Sequence, residues 1–212
     1  MSNEKWIGLN DKVVIVTGGA MGIGEATVKD LYNCGAKVAI FDMAEPKEEN
    51  LNEDIKFFKL DIRNKEEVEN AVQNVLKAFG HIDALVNDAG VTRPRILVDY
   101  YGKEPKYELD EEMFDFMVSV NQKGTFIVTQ AVTRVFFEQK SGVIINLSSC
   151  AGLMGSKGHS CYSGTKAAIH AYTISWAKEL GPYNIRVVGD LTDISAENGS
   201  YTVPATVYVD GA

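Results

Sequence analysis

The stretch KVVIVTGGAMGIGEATVKDLYNCGAKVAIFD, residues 12–42, decides the fold. It opens with a β-branched run, KVVIVT (12–17), too short for a helix and too evenly apolar for a strand with one wet face. The glycine-rich turn GGAMGIG (18–24) follows, then the helical EATVKDLYNC, closed by Gly35. A second apolar run, KVAIFD (37–42), completes the unit. Strand, glycine turn, helix and strand in this order make a βαβ crossover. Strands apolar throughout belong to a parallel sheet covered on both faces.

Outward from this unit the alternation continues. IKFFKLD (55–61) is a third strand and the charged KEEVENAVQNVLKAFG (65–80) a helix. IDALVN (82–87) is a fourth strand, followed by a long helical segment from about Asp110 to Gln139, the strand GVIINLSS (142–149) and a helix over 160–180. NIRVVG (184–189) and the alternating ATVYVDG (205–211) close the sheet. The pattern predicts a single α/β domain over 1–212: a doubly wound parallel sheet, a Rossmann fold, with helices on both faces. Such sheets bind ligands beyond the carboxyl ends of their strands, where the strand order reverses.

Composition narrows the function classes. With 212 residues, 45% hydrophobic and 24% charged, the chain fits one globular core. No apolar run approaches the roughly 20 residues that span a bilayer. MSNEKWIGLNDKVV, at the N-terminus, has no hydrophobic leader with a small-residue cleavage site, so a cytoplasmic protein without a membrane partner is expected. A net charge of −8 lacks the basic face that nucleic acid requires. Cys34, Cys150 and Cys161 include no CxxC pair and read as reduced thiols. With His81, His159 and His170 scattered, no metal site is expected.

The glycine turn is the first candidate site. Gly18, Gly22 and Gly24 follow a G-x-x-x-G-x-G spacing between strand and helix, with Met21 and Ile23 among them. A tight turn free of side chains lets backbone N–H groups and the helix N-terminus face a pyrophosphate. Asp42 ends the second strand, where an acidic residue roughly 20 positions downstream can accept hydrogen bonds from the adenosine ribose hydroxyls. The same carboxylate repels a 2′-phosphate, and the glycine loop holds no Arg or Lys to offset it. NAD (NADH) is therefore expected and NADP disfavoured. Asp61 and Ile62 follow the third strand, and NDAG (Asn87, Asp88, Ala89, Gly90) follows the fourth, at the same edge. Asp61 could equally cap the next helix, and NDAG could be only a turn.

The second candidate lies on the helix SCYSGTKAAIHAYTISWAKEL (160–180), where Tyr162 and Lys166 stand four apart on one face. Alone, the pair fits any amphipathic helix. Together with the glycine loop, NDAG and the Ser-Ser that precedes the tyrosine, in that order, it resembles the short-chain dehydrogenase/reductase family from about Lys12 to Gly189. That resemblance implies NAD-dependent hydride transfer between a secondary alcohol and a ketone, with Asn121 (in VNQKG), Ser149, Tyr162 and Lys166 as the catalytic set. Ser149 lies 13 residues before Tyr162, close to the family's spacing. It also implies cofactor contacts from Gly18, Met21, Gly22, Ile23, Gly24, Asp42, Asp61, Ile62, Asn87, Ala89, Gly90, Tyr162 and Lys166. The family's NNAG stands here as NDAG, with Asp88 in second place. By resemblance the chain assembles as a homotetramer through the long helix, the 160–180 helix and the last strand.

The chemistry is coherent. A phenol with a pKa near 10 is a poor base at neutral pH. A neighbouring ammonium favours the phenolate, so Lys166 is expected to lower the pKa of Tyr162 and, by resemblance, to hold the nicotinamide ribose. Tyr162 then serves as general acid/base, Ser149 hydrogen-bonds the substrate oxygen, and Asn121 holds a water in the proton path.

Substrate clues lie in VTRPRILVDYYGKEPKYELDEEMF (91–114), longer than most βα connections. Arg93, Arg95, Lys157 and His159 could together neutralise a phosphate or carboxylate. RPR…VD, GSKGHSCYSGTKAA and SWAKELGPYNIRVVG resemble bacterial sugar-alcohol members of the family. That implies interconversion of a hexitol phosphate such as sorbitol 6-phosphate with a ketose phosphate. Another polyol, an acetoin-type ketone or a β-ketoacyl substrate is the alternative.

One stretch departs from the family. After NIRVVG a Pro-Gly turn and a long helical insert over the substrate are usual, but here DLTDISAENGSYTVPATVYVDGA (190–212) follows directly. The insert is missing between about 189 and 190. Either a segment is left out of the sequence or the lid is truly deleted. The second case leaves open a nucleotide-binding module without catalysis.

Overall fold

The computed structural model describes residues 8–102 and 106–190, together with the backbone of a two-residue strand at 207–208. Six parallel strands form the sheet: β1 (Val13–Thr17), β2 (Lys37–Asp42), β3 (Ile55–Lys59), β4 (Ala84–Asn87), β5 (Gly142–Leu147) and β6 (Ile185–Asp190). Their order is β3-β2-β1-β4-β5-β6, so the winding direction reverses between β1 and β4. This is the doubly wound α/β fold expected from residues 12–42.

The helices are α1 (Gly22–Asn33), α2 (Lys65–Phe79), α3 (Glu111–Val118), α4 (Thr125–Gln139), α5 (Ala151–Met154) and α6 (Ser160–Leu180). One sheet face packs on α2, α4 and α6 through Ile15, Phe41, Val72, Val132, Phe136 and Ile144, all buried. The other packs on α1 through Val14, Val16, Val28, Val38 and Ile40. Over β4 to β6 that second face carries an open groove of about 630 Å³, lined by Ala84, Val143 and Ile145.

Local signals explain most element ends. Asn64 caps α2, its Oδ1 accepting from the backbone N–H groups of Glu66 and Glu67 at 3.1 and 3.4 Å. The capping role considered for Asp61 therefore falls to Asn64. Asp110 caps α3 by accepting from Met113 N at 2.7 Å. The long helix expected from about 110 to 139 runs as α3, a π-helical turn over Ser119–Gly124, and α4. Such turns insert one extra residue into the helical repeat and recur at functional sites.

The last strand differs from expectation. β7 (Val207–Tyr208) is two residues long and pairs antiparallel with β6, Val188 opposite Tyr208 and Gly189 opposite Val207. A parallel return needs a crossover along the length of the sheet, whereas an antiparallel one needs only a turn. β6 runs unbroken through the 189–190 junction. The remainder of the segment read as departing from the family lies outside the described residues.

A ladder of buried polar groups ties the middle of the sheet to the helices. Asn87 donates from Nδ2 to Asn146 Oδ1 and to Thr129 Oγ1, both at 2.9 Å. Asn146 in turn donates to Thr173 Oγ1 at 2.9 Å. Asn87 and Asn146 are direct partners in the β4–β5 register.

Candidate active site

The register sets the site. Thr17 lies opposite both Phe41 and Asn87, and Asn87 opposite Asn146, so the chain leaves β1, β2, β4 and β5 at one level of the sheet. Gly18, Asp42, Asp88 and Ser149 all emerge there. A cavity of about 460 Å³ opens at this edge, over the point where the strand order reverses.

Its dinucleotide end is made largely of backbone. Thr17 Oγ1 accepts from the N–H groups of Asp88 and Ala89, each at 3.1 Å, and donates to Val86 O at 3.4 Å. That single hydroxyl staples the glycine loop to the NDAG turn. Gly18 has a φ of +71°. A β-carbon there would stand 2.8 Å from the Ala89 Cα, so no side chain fits. At Gly24 a β-carbon would drive into the Gly18 carbonyl and within 2.8 Å of Asp88 Oδ2. The three features bring the first turn of α1 close under the loop, the arrangement a pyrophosphate requires.

Of the expected cofactor residues, Gly18, Met21, Ile23, Asp42, Asp61 and Ile62 line the cavity, and so do Ala89, Gly90, Tyr162 and Lys166. Gly22, with φ +62°, sits in the same loop with open space above it, and Gly24 lies beneath the cavity floor. Asn87 points away from the cavity into the buried ladder. Asp42 accepts one backbone N–H on each oxygen, from Ala20 at 3.0 Å and Ala44 at 2.9 Å. Each carboxylate oxygen keeps further acceptor capacity toward the cavity. Asp61 is gripped by Arg63, whose Nε stands 2.9 Å from both carboxylate oxygens. That guanidinium holds Asp61 below the usual carboxylate range and is itself pushed up. Arg63 also lies 5.5 Å above the Phe116 ring.

The proton-transfer end is made of side chains. Tyr162 and Lys166 both face the cavity from α6, the Lys166 Nζ 5.9 Å from the Tyr162 ring centroid. Lys166 is buried and donates to Leu147 O at 2.7 Å. Burial pulls its pKa down to about 8, against the attraction of Asp88. Burial also pushes the Tyr162 phenol above its ordinary value; a hydrogen bond with Ser149 opposes this, and the charge of Asp88 adds to it. The lowering of Tyr162 expected from Lys166 is thus absent from the balance of the chain's own groups. The ammonium is turned toward the Leu147 carbonyl, and desolvation of the phenol outweighs its hydrogen bond with Ser149.

Ser149, buried at the end of β5, accepts from Ala151 N at 3.2 Å and reaches Tyr162. Asn121 sits in the π-helical turn. Its Oδ1 accepts from Val91 N at 2.8 Å, while its Nδ2 donates to Val91 O at 2.9 Å and Thr165 Oγ1 at 3.0 Å. It clamps the chain leaving the NDAG turn onto α6.

The four cations considered for an anion do not gather as one group. Arg95 and His159 pair through a parallel bridge, Arg95 N donating to Gly158 O at 2.8 Å. The His159 ring lies edge-on to Tyr162, centroids 6.1 Å apart, and its Nδ1 is 3.3 Å from Lys157 O. Arg93 instead stacks 5.4 Å from Phe116, beside Arg63. Thr17, Arg63, Phe116 and the carboxylate of Asp88 were not singled out as site groups by sequence reasoning. Their adjacency to Gly18, Asp61 and NDAG was a usable signal for three of them; Phe116 offered none. Among the described residues no cluster of His, Cys, Asp and Glu could hold a metal, and no helix is long and apolar enough to cross a membrane.

Known proteins match this chain over most of its length. The family model described as short chain dehydrogenase matches residues 12–191. Sorbitol-6-phosphate 2-dehydrogenase of Klebsiella pneumoniae is 45% identical over 197 residues, covering 93% of this chain and 74% of that protein. A 3-oxoacyl-(acyl-carrier-protein) reductase of Thermotoga maritima is 36% identical over 189 residues, 84% of this chain and 72% of its own length. The crystal structure of gox2181 superposes with a TM-score of 0.77 at 32% identity, over 88% of this chain and 73% of that one.

Proposed function

Because the chain belongs to the short-chain dehydrogenase family, and is therefore an oxidoreductase, we propose that it is an NAD-dependent enzyme that interconverts a hexitol phosphate and a ketose phosphate, of the sorbitol 6-phosphate and fructose 6-phosphate type. The observation that carries the reaction class is the meeting of Tyr162, Ser149 and Lys166 at the edge where the glycine cradle opens. The cradle fits a dinucleotide: Gly18, Gly22 and Gly24 leave backbone where side chains would stand, and Asp42 offers spare acceptor capacity to a ribose diol. Arg63, the cation nearest that end, is committed to Asp61 and so does not favour a 2′-phosphate.

When bound, the dinucleotide supplies the hydride acceptor or donor. The chain's own residues manage the proton. In alcohol oxidation the phenolate of Tyr162 takes the hydroxyl proton as the C–H bonding pair leaves the same carbon; in ketone reduction the phenol returns it. Ser149 donates to the substrate oxygen, Lys166 would hold the nicotinamide ribose beside Tyr162, and Asn121 keeps the post-NDAG chain in place. The substrate phosphate is read by Arg95, Lys157 and His159, whose chain segments a backbone bridge joins, with the His159 ring beside Tyr162. Assembly is proposed as a homotetramer, with Phe126 and Phe137 on α4 about two-fifths exposed for such contacts.

The test is a turnover panel followed by NADH absorbance. Fructose 6-phosphate with NADH should turn over, fructose should be a poor substrate, and NADPH should not replace NADH. The 36% relative supports a second reading, a β-ketoacyl substrate. Activity on an acetoacetyl thioester with none on sugar phosphates would select it. Tight NADH binding with no turnover on any substrate would leave only a nucleotide-binding module.

A further inference from the structure

The glycine turn holds backbone donors for an anion, and the chain's own acceptors already occupy several of them. Gly18 N donates to Phe41 O at 2.8 Å, and Ala20 N donates to Asp42 Oδ2 at 3.0 Å. Met21, at the N-cap of α1, gives its own helix no side-chain acceptor. That acceptor comes from the end of β4 instead. Thr17 Oγ1 accepts from Asp88 N at 3.1 Å and fixes the start of the NDAG turn. From there the Asp88 side chain reaches under the loop, and its carboxylate accepts from Gly24 N in the first turn of α1. Its Oδ2 stands 2.8 Å from where a β-carbon on Gly24 would be, so the carboxylate fits only because that residue is glycine.

This cap carries a charge to the place where an anion is expected. Asp88 lines the same cavity as Gly18, Met21 and Ile23. A helix N-terminus readily stabilises one negative group. Here a carboxylate and a pyrophosphate, with its two negative charges, would share it. The loop GGAMGIG holds no Lys or Arg to offset them. An asparagine at position 88 would accept the same N–H without any charge, so capping alone does not account for an acid.

We propose that Asp88 couples dinucleotide binding to proton uptake: the carboxylate that caps α1 in the free protein takes a proton from solvent when a pyrophosphate occupies the same helix end. The inference rests on the dinucleotide reading of the glycine cradle. A protonated Asp88 still accepts from Gly24 N through its carbonyl oxygen, so the cap survives the change.

The groups that face Asp88 set the pH at which this happens. Burial lifts its carboxyl to about 6; Lys166, on α6, opposes the rise, and Asp42, at the end of β2, adds to it. Tyr162, also on α6, is in turn disfavoured as a phenolate by Asp88. Glu25, the acid in the first turn of α1, is taken up by Lys29 at 2.7 Å and Asn50 at 3.0 Å. A second anion disfavours the charged carboxylate, so the bound form keeps its proton to a higher pH than the free form. Well below the free value both forms are protonated, and binding takes up nothing. Between the free and bound values each dinucleotide brings in a proton, and affinity falls as pH rises. Above both values the carboxylate stays charged and weakens binding by a constant factor.

The test is NADH affinity against pH, read from nucleotide fluorescence, in the unaltered protein and in Asp88→Asn. A rise of about one pKa unit on binding makes Asp88→Asn bind NADH about tenfold tighter at pH 8, and within about twofold at pH 5.5. A merely structural cap predicts a gap that does not change with pH. Parallel curves overturn the proposal, and so does a variant that binds no tighter at pH 8. Should Asp88→Asn fail to fold, calorimetry of the unaltered protein in two buffers of different ionisation enthalpy decides. At pH 6.5 each NADH should bring in about half a proton. No uptake overturns the proposal. NADH binding without a pH-dependent gap would leave the dinucleotide reading standing. Absence of NADH binding to either protein at any pH would remove that reading, and this inference with it.

Discussion

At its dinucleotide end the cavity is built of backbone; at its proton-transfer end it is built of side chains. Gly18 and Gly24 matter for atoms they lack, and the one hydroxyl among them, Thr17, is spent on stapling two turns together. Tyr162, Lys166 and Ser149 matter for atoms they carry; Lys166 and Ser149 are buried, Tyr162 is half-buried, and each is held by one or two hydrogen bonds. The difference lies in how each end tolerates change. A missing functional group removes chemistry and leaves shape, whereas an added methyl removes shape and with it binding.

The strongest way to break this division is Tyr162→Phe. Loss of the general acid/base should lower kcat by about 10²–10⁴-fold. NADH binding, followed by fluorescence, should change by less than roughly twofold. A large loss of binding would show that the two ends are not separable. Gly24→Ala probes the other end: the added methyl meets the Gly18 carbonyl, and NADH affinity should fall about 10- to 100-fold, with a lower Tm. Asp42→Asn keeps an acceptor for one of the two backbone N–H groups held there while easing the repulsion of a 2′-phosphate. The preference for NADH over NADPH, measured as a ratio of Kd values, should shrink by about tenfold. An unchanged ratio would place discrimination elsewhere.

The smallest effect concerns Asp61, a side-chain ion pair at the rim of the backbone-built end. Its carboxyl is depressed by Arg63, so the pair contributes stability above the ordinary carboxylate pKa and loses it as pH falls through the depressed value. Both partners are partly exposed, which limits the contribution to about 0.5 kcal/mol. Asp61→Asn should lower stability slightly at pH 7, and the two urea denaturation curves should converge in acid. A gap that persists into acid would assign Asp61 a role other than this pair.

What could be read from the chain follows the same division. The βαβ unit at 12–42 was legible because a buried parallel strand is apolar at every position and a glycine turn advertises itself. Helical spacing put Tyr162 and Lys166 on one face and the family resemblance singled them out, while Asp42 was legible through its place at a strand end. Features that depend on which way a side chain turns were not. Asn87 belongs to a turn-forming motif, yet it faces the helices because β4 carries it to the inner side. Asp61 had two equal readings as a helix cap or a site residue; the cap is Asn64, and the carboxylate went to Arg63. The π-helical turn at Asn121 leaves no mark in apolar periodicity, because it displaces the pattern by a single residue. Tyr162's pKa was expected to fall because proximity in sequence suggested attraction, while its burial, which raises it, is a property of the folded cavity. The direction of β7 depends on the path of the chain between strands, which strand patterning does not encode.

Asn87 and Asn146 also solve a problem of uniqueness. β4 and β5 are clad in Val, Ile and Leu on both faces, so sliding one strand by two residues would bury much the same hydrocarbon. Two amides placed directly opposite each other forbid that slide: any other alignment strands buried amides away from their partners, at about 1–3 kcal/mol for each group left unpaired. The level at which Asp88 and Ser149 leave the sheet is therefore selected during folding, by a pair of side chains that face the helices rather than the cavity.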